Sequence, residues 1–211
     1  MDRGEELNAD SADLRRRIAR EAATLLYSRA EKEYKQAKLK AAKTFGAHFL
    51  PTNLEVALEL DRIAEESEGS ARKERLVRMR TEALKTMKIL KAYSPLLIGS
   101  VWRGTIRRGS DIDIALNHDS PSEIVSLLKA NGFEVSKTEW LTVTKRGKTE
   151  ISFHIHTETS GKERIEIVVR TSEEASRRRK CEIFGDEIKG LNIRELEKLL
   201  IENPAQRFVP A

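Results

Sequence analysis

GSVWRGTIRRGSDIDI, residues 99–114, is the stretch whose reading decides the fold. It places Gly99-Ser100 at the end of one apolar run, PLLIGS, and the pair Asp111 and Asp113 at the head of the next, IDIAL, with a short basic glycine-containing loop between them. Read as strands, the second run puts both carboxylates on one face, because side chains alternate along a strand. Two carboxylates held that close repel each other in a low-dielectric cleft, and a divalent cation is the usual remedy. Hard oxygen donors of this kind suit Mg²⁺ or Mn²⁺. Gly99 has no side chain, so a phosphate can approach its backbone, and Ser100 adds an N–H and a hydroxyl. Arg103, Arg107 and Arg108 can neutralise phosphate oxygens. A phosphate grip beside a metal-binding pair is the equipment of phosphoryl or nucleotidyl transfer.

Working outward, the pattern before residue 92 is helical. A helix capped near Ser11 or Asp13 is expected to run, with room for one break, to about Gly46. Pro51 forbids helix at its predecessor, and Thr52 or Asn53 can cap the next helix, LEVALELDRIAEE, which should stop at SEGS, residues 67–70. A further helix over 71–92 carries Leu76, Met79, Ala83, Met87 and Leu90 on one face, a core stripe. After IDIAL, the segment SPSEIVSLLKANG reads as a helix closed by Gly132. Four strand-like runs follow, FEVSKTEW, LTVTKR, TEISFHIHT and RIEIVVR, and then a short helix in GLNIRELEKLLIENP that Pro204 closes. The expected fold is α+β: a small mixed sheet flanked by helices over 71–211, preceded by an N-terminal helical domain over 1–70.

The chain of 211 residues carries 39% hydrophobic and 35% charged residues, enough apolar content for a core and more charge than the usual quarter. Net charge is +5, which favours an anionic partner over a cationic one. Eleven Lys and Arg residues lie between Arg72 and Arg108, with only Glu74 and Glu82 opposing them locally. The only cysteine is Cys181, which excludes an internal disulfide and a cysteine-based zinc site. No stretch of about 18 apolar residues occurs, so the chain reads as soluble and cytoplasmic with no membrane partner.

The stretch 99–114 resembles the signature of the DNA polymerase β-type nucleotidyltransferase superfamily, commonly GS-x-A-R-G followed by S-D-I-D. Spacing and residue types agree, except that Trp102 takes the usual alanine position. The nearest flavour is the minimal nucleotidyltransferases of archaea and bacteria, with some likeness to archaeal CCA-adding enzymes. The resemblance implies a transfer of a nucleoside monophosphate from an NTP to an acceptor hydroxyl. It implies two Mg²⁺ ions, with Mn²⁺ as a substitute, held by Asp111 and Asp113. Gly99, Ser100, Arg103, Arg107, Arg108 and Ser110 become the expected nucleotide-binding residues. Family members add a third carboxylate from a later strand, and RIEIVVR nominates Glu166 as metal ligand and as the catalytic group that deprotonates the acceptor hydroxyl, a Glu where Asp is more frequent.

Each of these residues also has a plainer reading. Asp-x-Asp alone is often a surface pair, Glu166 can be ion-paired to Arg164 or Arg170, and Trp102 fits packing better than base stacking. His154 and His156 share a strand face with Glu150 and Ser152, but no third zinc ligand is evident. Gly147-Lys148-Thr149 mimics the end of a P-loop, yet the required first glycine is Thr142. SRRRK, residues 176–180, reads as a solvated cluster able to touch RNA. Two acceptors stay open, an RNA 3′ end and a hydroxyl of a partner protein, beside a non-catalytic binding module on the same fold. The long helices are compatible with a homodimer.

Overall fold

The computed structural model describes residues 3–145, 148–159, 161–175 and 177–210. Gly147 and Ser176, named above, lie outside the described residues. The chain divides into two compact units, one of residues up to Arg72 with Cys181–Gly185, the other of Lys73–Lys180 with the residues from Asp186 on.

The first unit holds α1 (Arg3–Tyr27), α2 (Tyr34–Thr44) and the first part of α3 (Asn53–Ile89). Its core is built largely from small side chains: Ala19, Ala22 and Ala23 of α1 meet Ala37, Ala41 and Ala42 of α2, with Ile18, Leu26, Val56 and Leu60 between them. The helical run expected to about Gly46 takes its one break after Tyr27, where Arg29 adopts a left-handed φ of 62°. The helices expected on either side of SEGS are both present within α3 and meet at a kink at Gly69, with φ 52° and ψ −136°. Glycine tolerates that conformation and other residues do not.

The second unit carries a five-stranded sheet in the order β1 (Leu96–Ile98), β2 (Ile112–Asn117), β5 (Arg164–Arg170), β4 (Lys148–Glu158) and β3 (Glu134–Lys145). Only β2 and β5 pair in parallel. FEVSKTEW and LTVTKR, expected as two strands, are one: no Gly, Pro, Asn or Asp interrupts Glu134–Lys145, so nothing turns the chain there. Alternation then sorts the side chains. Ile112, Ile114 and Leu116 of β2 and Ile165, Ile167 and Val169 of β5 enter the core with the late part of α3, α5 (Pro121–Ala130) and α6 (Ile193–Glu202). Asn192 starts α6 with a reciprocal capping box to Glu195. Asp113 and Glu166 take the opposite phase from those aliphatics and so lie on the other face of the sheet. Between β1 and β2 stands the short helix α4 (Gly99–Arg103).

Among the described residues, no helix is long and apolar enough to cross a membrane.

Candidate active site

The sheet brings the three nominated acids together. Asp113 and Glu166 are direct partners in the parallel β2–β5 register, and Asp111 precedes β2 in phase with Asp113. Neighbouring strands lie about 4.8 Å apart, so these carboxylates feel each other. The half-buried Asp113 shows it: loss of water first, and then the charges of Glu166 and Asp111, together raise its carboxyl from an ordinary 3.8 to about 8.

The outer two acids have cationic or hydrogen-bonding neighbours. Asp111 Oδ1 is 2.6 Å from Arg164, whose guanidinium also donates to the Gly109 carbonyl at 2.6 Å. Glu166 Oε1 lies 2.5 Å from His154 Nδ1, and His154 Nε2 lies 2.8 Å from the Ser152 hydroxyl. His156 sits beside Glu139 at 3.2 Å. Among the described residues, no three His, Cys, Asp or Glu side chains already stand in a metal-coordinating arrangement. The donor set nevertheless fits a hard divalent cation: three carboxylates share one sheet face, and the central one is destabilised by the charges of the other two.

Gly99 has a more specific task than leaving room for a phosphate. Its φ is 70°, and a Cβ built on it falls 1.9 Å from Asp113 Oδ2. The Asp113 carboxylate therefore lies against the bare Cα of Gly99, and Ile98, its chain neighbour, is the cross-strand partner of Asp113. Ser100 is half-buried, and its carbonyl accepts from the Thr105 N–H at 3.0 Å. Ser110 closes the loop on itself: its hydroxyl accepts from the Arg107 N–H at 3.0 Å, and its own N–H donates to the Arg107 carbonyl at 2.9 Å.

The arginines of the loop divide. Arg107 is half-buried and Arg108 exposed. Arg103, expected at the phosphates, is instead buried: its guanidinium binds both oxygens of Asp186 at 2.7 and 3.1 Å, donates to the Phe208 carbonyl at 3.0 Å and lies over the Trp102 ring. Trp102 packs as expected, 5% exposed and stacked with Phe208. Arg80, fully buried, donates to the carbonyls of Val101, Trp102, Pro204 and Gln206, and burial lowers its guanidinium to about 10. Together Arg80 and Arg103 tie α4 to the segment 204–208.

Several bases of this stretch pair with acids from other parts of the sequence. Arg72 pairs with Asp61 and Glu65, Arg78 with Glu163, Lys88 with Glu197 and Arg103 with Asp186. Sequence reasoning offered Arg164 as a partner of Glu166, and the structure sets it against Asp111 instead; His154 it did not place at the acids. A signal existed for His154, which shares the strand phase of the acid face through its β4 neighbour His156, the cross-strand partner of Glu166. No comparable signal sets Arg164 against Asp111.

The profile of the nucleotidyltransferase domain family matches residues 80–202, more than half of the chain. No curated protein matches it. Among solved structures, the chain is similar to a cytoplasmic RNA terminal U-transferase at 18% identity, covering 56% of this chain and 34% of that one with a TM-score of 0.33. It is similar to the Cid1 poly(U) polymerase at 19% identity, covering 53% and 38% with a TM-score of 0.32. For the GLD-2/RNP-8 complex the values are 13%, 59%, 44% and 0.32. The chain thus spans between a third and a half of the length of these structures. The family match covers the signature loop, the acid-bearing strands and the helices behind them, and this chain belongs to the nucleotidyltransferase domain family.

Proposed function

We propose that this enzyme moves a nucleoside monophosphate from an NTP to the 3′ hydroxyl of an RNA, in a reaction that depends on Mg²⁺ or Mn²⁺. The observation that carries the reading is the placement of Asp113, registered against Glu166 and seated on the Cα of Gly99, which joins the acid pair and the Gly-Ser loop in one site.

Asp111, Asp113 and Glu166 would hold the cations, two in number. When bound, these ions neutralise the triphosphate and favour the alkoxide form of the acceptor hydroxyl. The chain supplies the rest. Backbone N–H groups at Gly99 and Ser100 position the β- and γ-phosphates, with Arg107 and Arg108 as the nearby cations and Ser110 holding their loop closed. Glu166 receives the acceptor proton, with His154 fixing which carboxylate oxygen is presented. The acceptor oxygen forms its bond to the α-phosphorus while the bond to the β-bridging oxygen breaks, and pyrophosphate carries away that electron pair. Asp111 is readily given up by Arg164, because both side chains are well exposed, at 38% and 46%, and such pairs are worth about 0–1 kcal/mol.

One observation favours the second acceptor, a hydroxyl on a partner protein: the β3–β4 hairpin exposes Trp140 and Ile151 on one face, an apolar surface suited to protein contact. Incubation with each α-labelled NTP, an oligoribonucleotide and Mg²⁺ tests the proposal. Label in lengthened RNA that vanishes with chelator supports it. Label only in protein shifts the acceptor to a polypeptide, and label in neither supports the non-catalytic module.

A further inference from the structure

A cleft of about 980 Å³ opens in the sheet-bearing unit beyond the acids, toward the C-terminal ends of β2 and β5. Its floor is apolar, made by Leu96, Ile98 and Ala115. Ile98 and Ala115 flank Asp113, the first as its cross-strand partner and the second as the next residue in phase on β2, so the floor abuts the acid cluster. Asn117 and Arg170, partners in register, mark the far end, about 13 Å along the strand from Asp113. Tyr93 and His118 form one wall, their rings edge-on with centroids 4.9 Å apart.

Charge in this cleft is one-sided. Arg170, Arg177, Arg178, Arg179 and Lys189 line it against only Glu174 and Glu187. Arg179 is satisfied by Glu150 and Glu174, and Arg177 by Glu174 at 3.0 Å. Arg170 differs. It is half-buried, and among the described residues no carboxylate lies within ion-pair distance of its guanidinium. Burial first and the neighbouring Arg179 second work against its charge, and Glu174 and Glu150, both already bound to Arg179, support it only from beyond ion-pair distance. A half-buried cation whose nearest carboxylates are engaged elsewhere gains from an anion that binds it directly. Apolar floor, aromatic wall and waiting guanidinium are the elements that recognise a base and its phosphate on a single strand, and the volume falls within the range of ligand sites.

We propose that this cleft holds the nucleotides immediately upstream of the acceptor's reacting 3′ end, with a backbone phosphate on Arg170 and a base against Leu96, Ile98 and Ala115. The inference rests on the transfer reading above and names where the acceptor strand lies. A free mononucleotide presents the same chemistry. The strand is favoured because the floor runs into the acid cluster through Ile98 and the rim continues the path with Arg178 and Lys189.

The test is fluorescence anisotropy of a labelled single-stranded oligoriboadenylate with the full chain, as wild type, Arg170→Gln and Lys189→Glu. Calorimetry of each NTP with Mg²⁺ and of AMP alone runs beside it. Arg170→Gln is expected to weaken oligonucleotide binding about ten- to hundredfold and to flatten its salt dependence by about 0.7 in log–log slope, while NTP affinity stays within twofold. Lys189 is exposed, so its reversal cannot unfold the core, and it should weaken the strand in the same direction. Oligonucleotide affinity and salt slope unchanged in both variants would overturn the proposal. AMP binding that depends on Arg170 as strongly, with no gain from a longer strand, would overturn it in favour of a free nucleotide. If wild type binds no NTP but binds the strand through Arg170, the cleft assignment stands and the transfer reading falls.

Discussion

Replacing Gly99 with alanine should damage the metal–nucleotide site more than it damages the fold, and the structure sets the scale of both effects. At φ 70° an L-residue costs about 1–2 kcal/mol relative to glycine. The new methyl would also stand 1.9 Å from Asp113 Oδ2 and 2.8 Å from its Cγ. That is about 1.5 Å inside ordinary contact, so the carboxylate must swing away. Backbone strain and displacement together amount to about 2–4 kcal/mol, a fall in Tm of about 5–15 °C for a unit of this size. Thermal unfolding reads that part. Calorimetry of Mg²⁺–NTP reads the other, where loss of Asp113 from its place should weaken binding at least about tenfold. The double variant Gly99→Ala/Asp113→Ala separates the contributions: with the carboxylate gone the clash goes too, so most of the lost Tm should return while binding stays lost. Gly99→Ala with wild-type Tm and wild-type nucleotide affinity would refute the claim that this glycine seats the acid.

Three further outcomes follow from the same geometry. Asp113 is neutral in the folded chain up to about pH 8 but ionises near 3.8 when unfolded, so its contribution to stability is complete below pH 3.8 and is lost as pH rises toward 8. With chelator present, Asp113→Asn should therefore match wild type near pH 4 and gain on it progressively to pH 8. Full desolvation would make the gain about 6 kcal/mol, and water reaching a half-buried group reduces it to about 2–3 kcal/mol, checked by denaturant melts across pH. Arg80→Met should cost about 3–5 kcal/mol, because four carbonyls lose their common donor, and Arg80→Lys should recover only part of it in urea unfolding. His154→Ala should leave Tm within a few degrees and lower turnover about ten- to hundredfold, by freeing Glu166 to rotate; unchanged turnover would remove His154 from the account.

Much of the second unit was legible because its strands obey a two-residue rhythm. IDIAL and RIEIVVR both place an acid among aliphatics, and the fold had only to pair them for Asp113 and Glu166 to meet. What the rhythm could not reveal was the partners. Arg103 sits in the loop where a phosphate ligand belongs, yet its counter-charge is Asp186, more than eighty residues later. The basic stretch read as a patch because its opponents lie outside it in sequence, Asp61 and Glu65 earlier on the same helix and Glu163 and Glu197 on later elements. Gly99 was legible as a necessary glycine, though the structure gives it the Asp113 carboxylate to accommodate. The strand Glu134–Lys145 was divided at Trp140 although no turn-forming residue stands there, and much of its far half is exposed, so hydrophobic patterning carried little information.

The most direct test of the central claim is calorimetric titration of ATP, GTP, CTP and UTP, with and without Mg²⁺, into wild type and Asp111→Ala/Asp113→Ala. Binding that requires the cation and disappears in the double variant is the predicted result, and it also names the base. Nucleotide binding that is indifferent to Mg²⁺, or that survives the loss of both aspartates, would contradict a catalytic metal–nucleotide site at this end of the sheet.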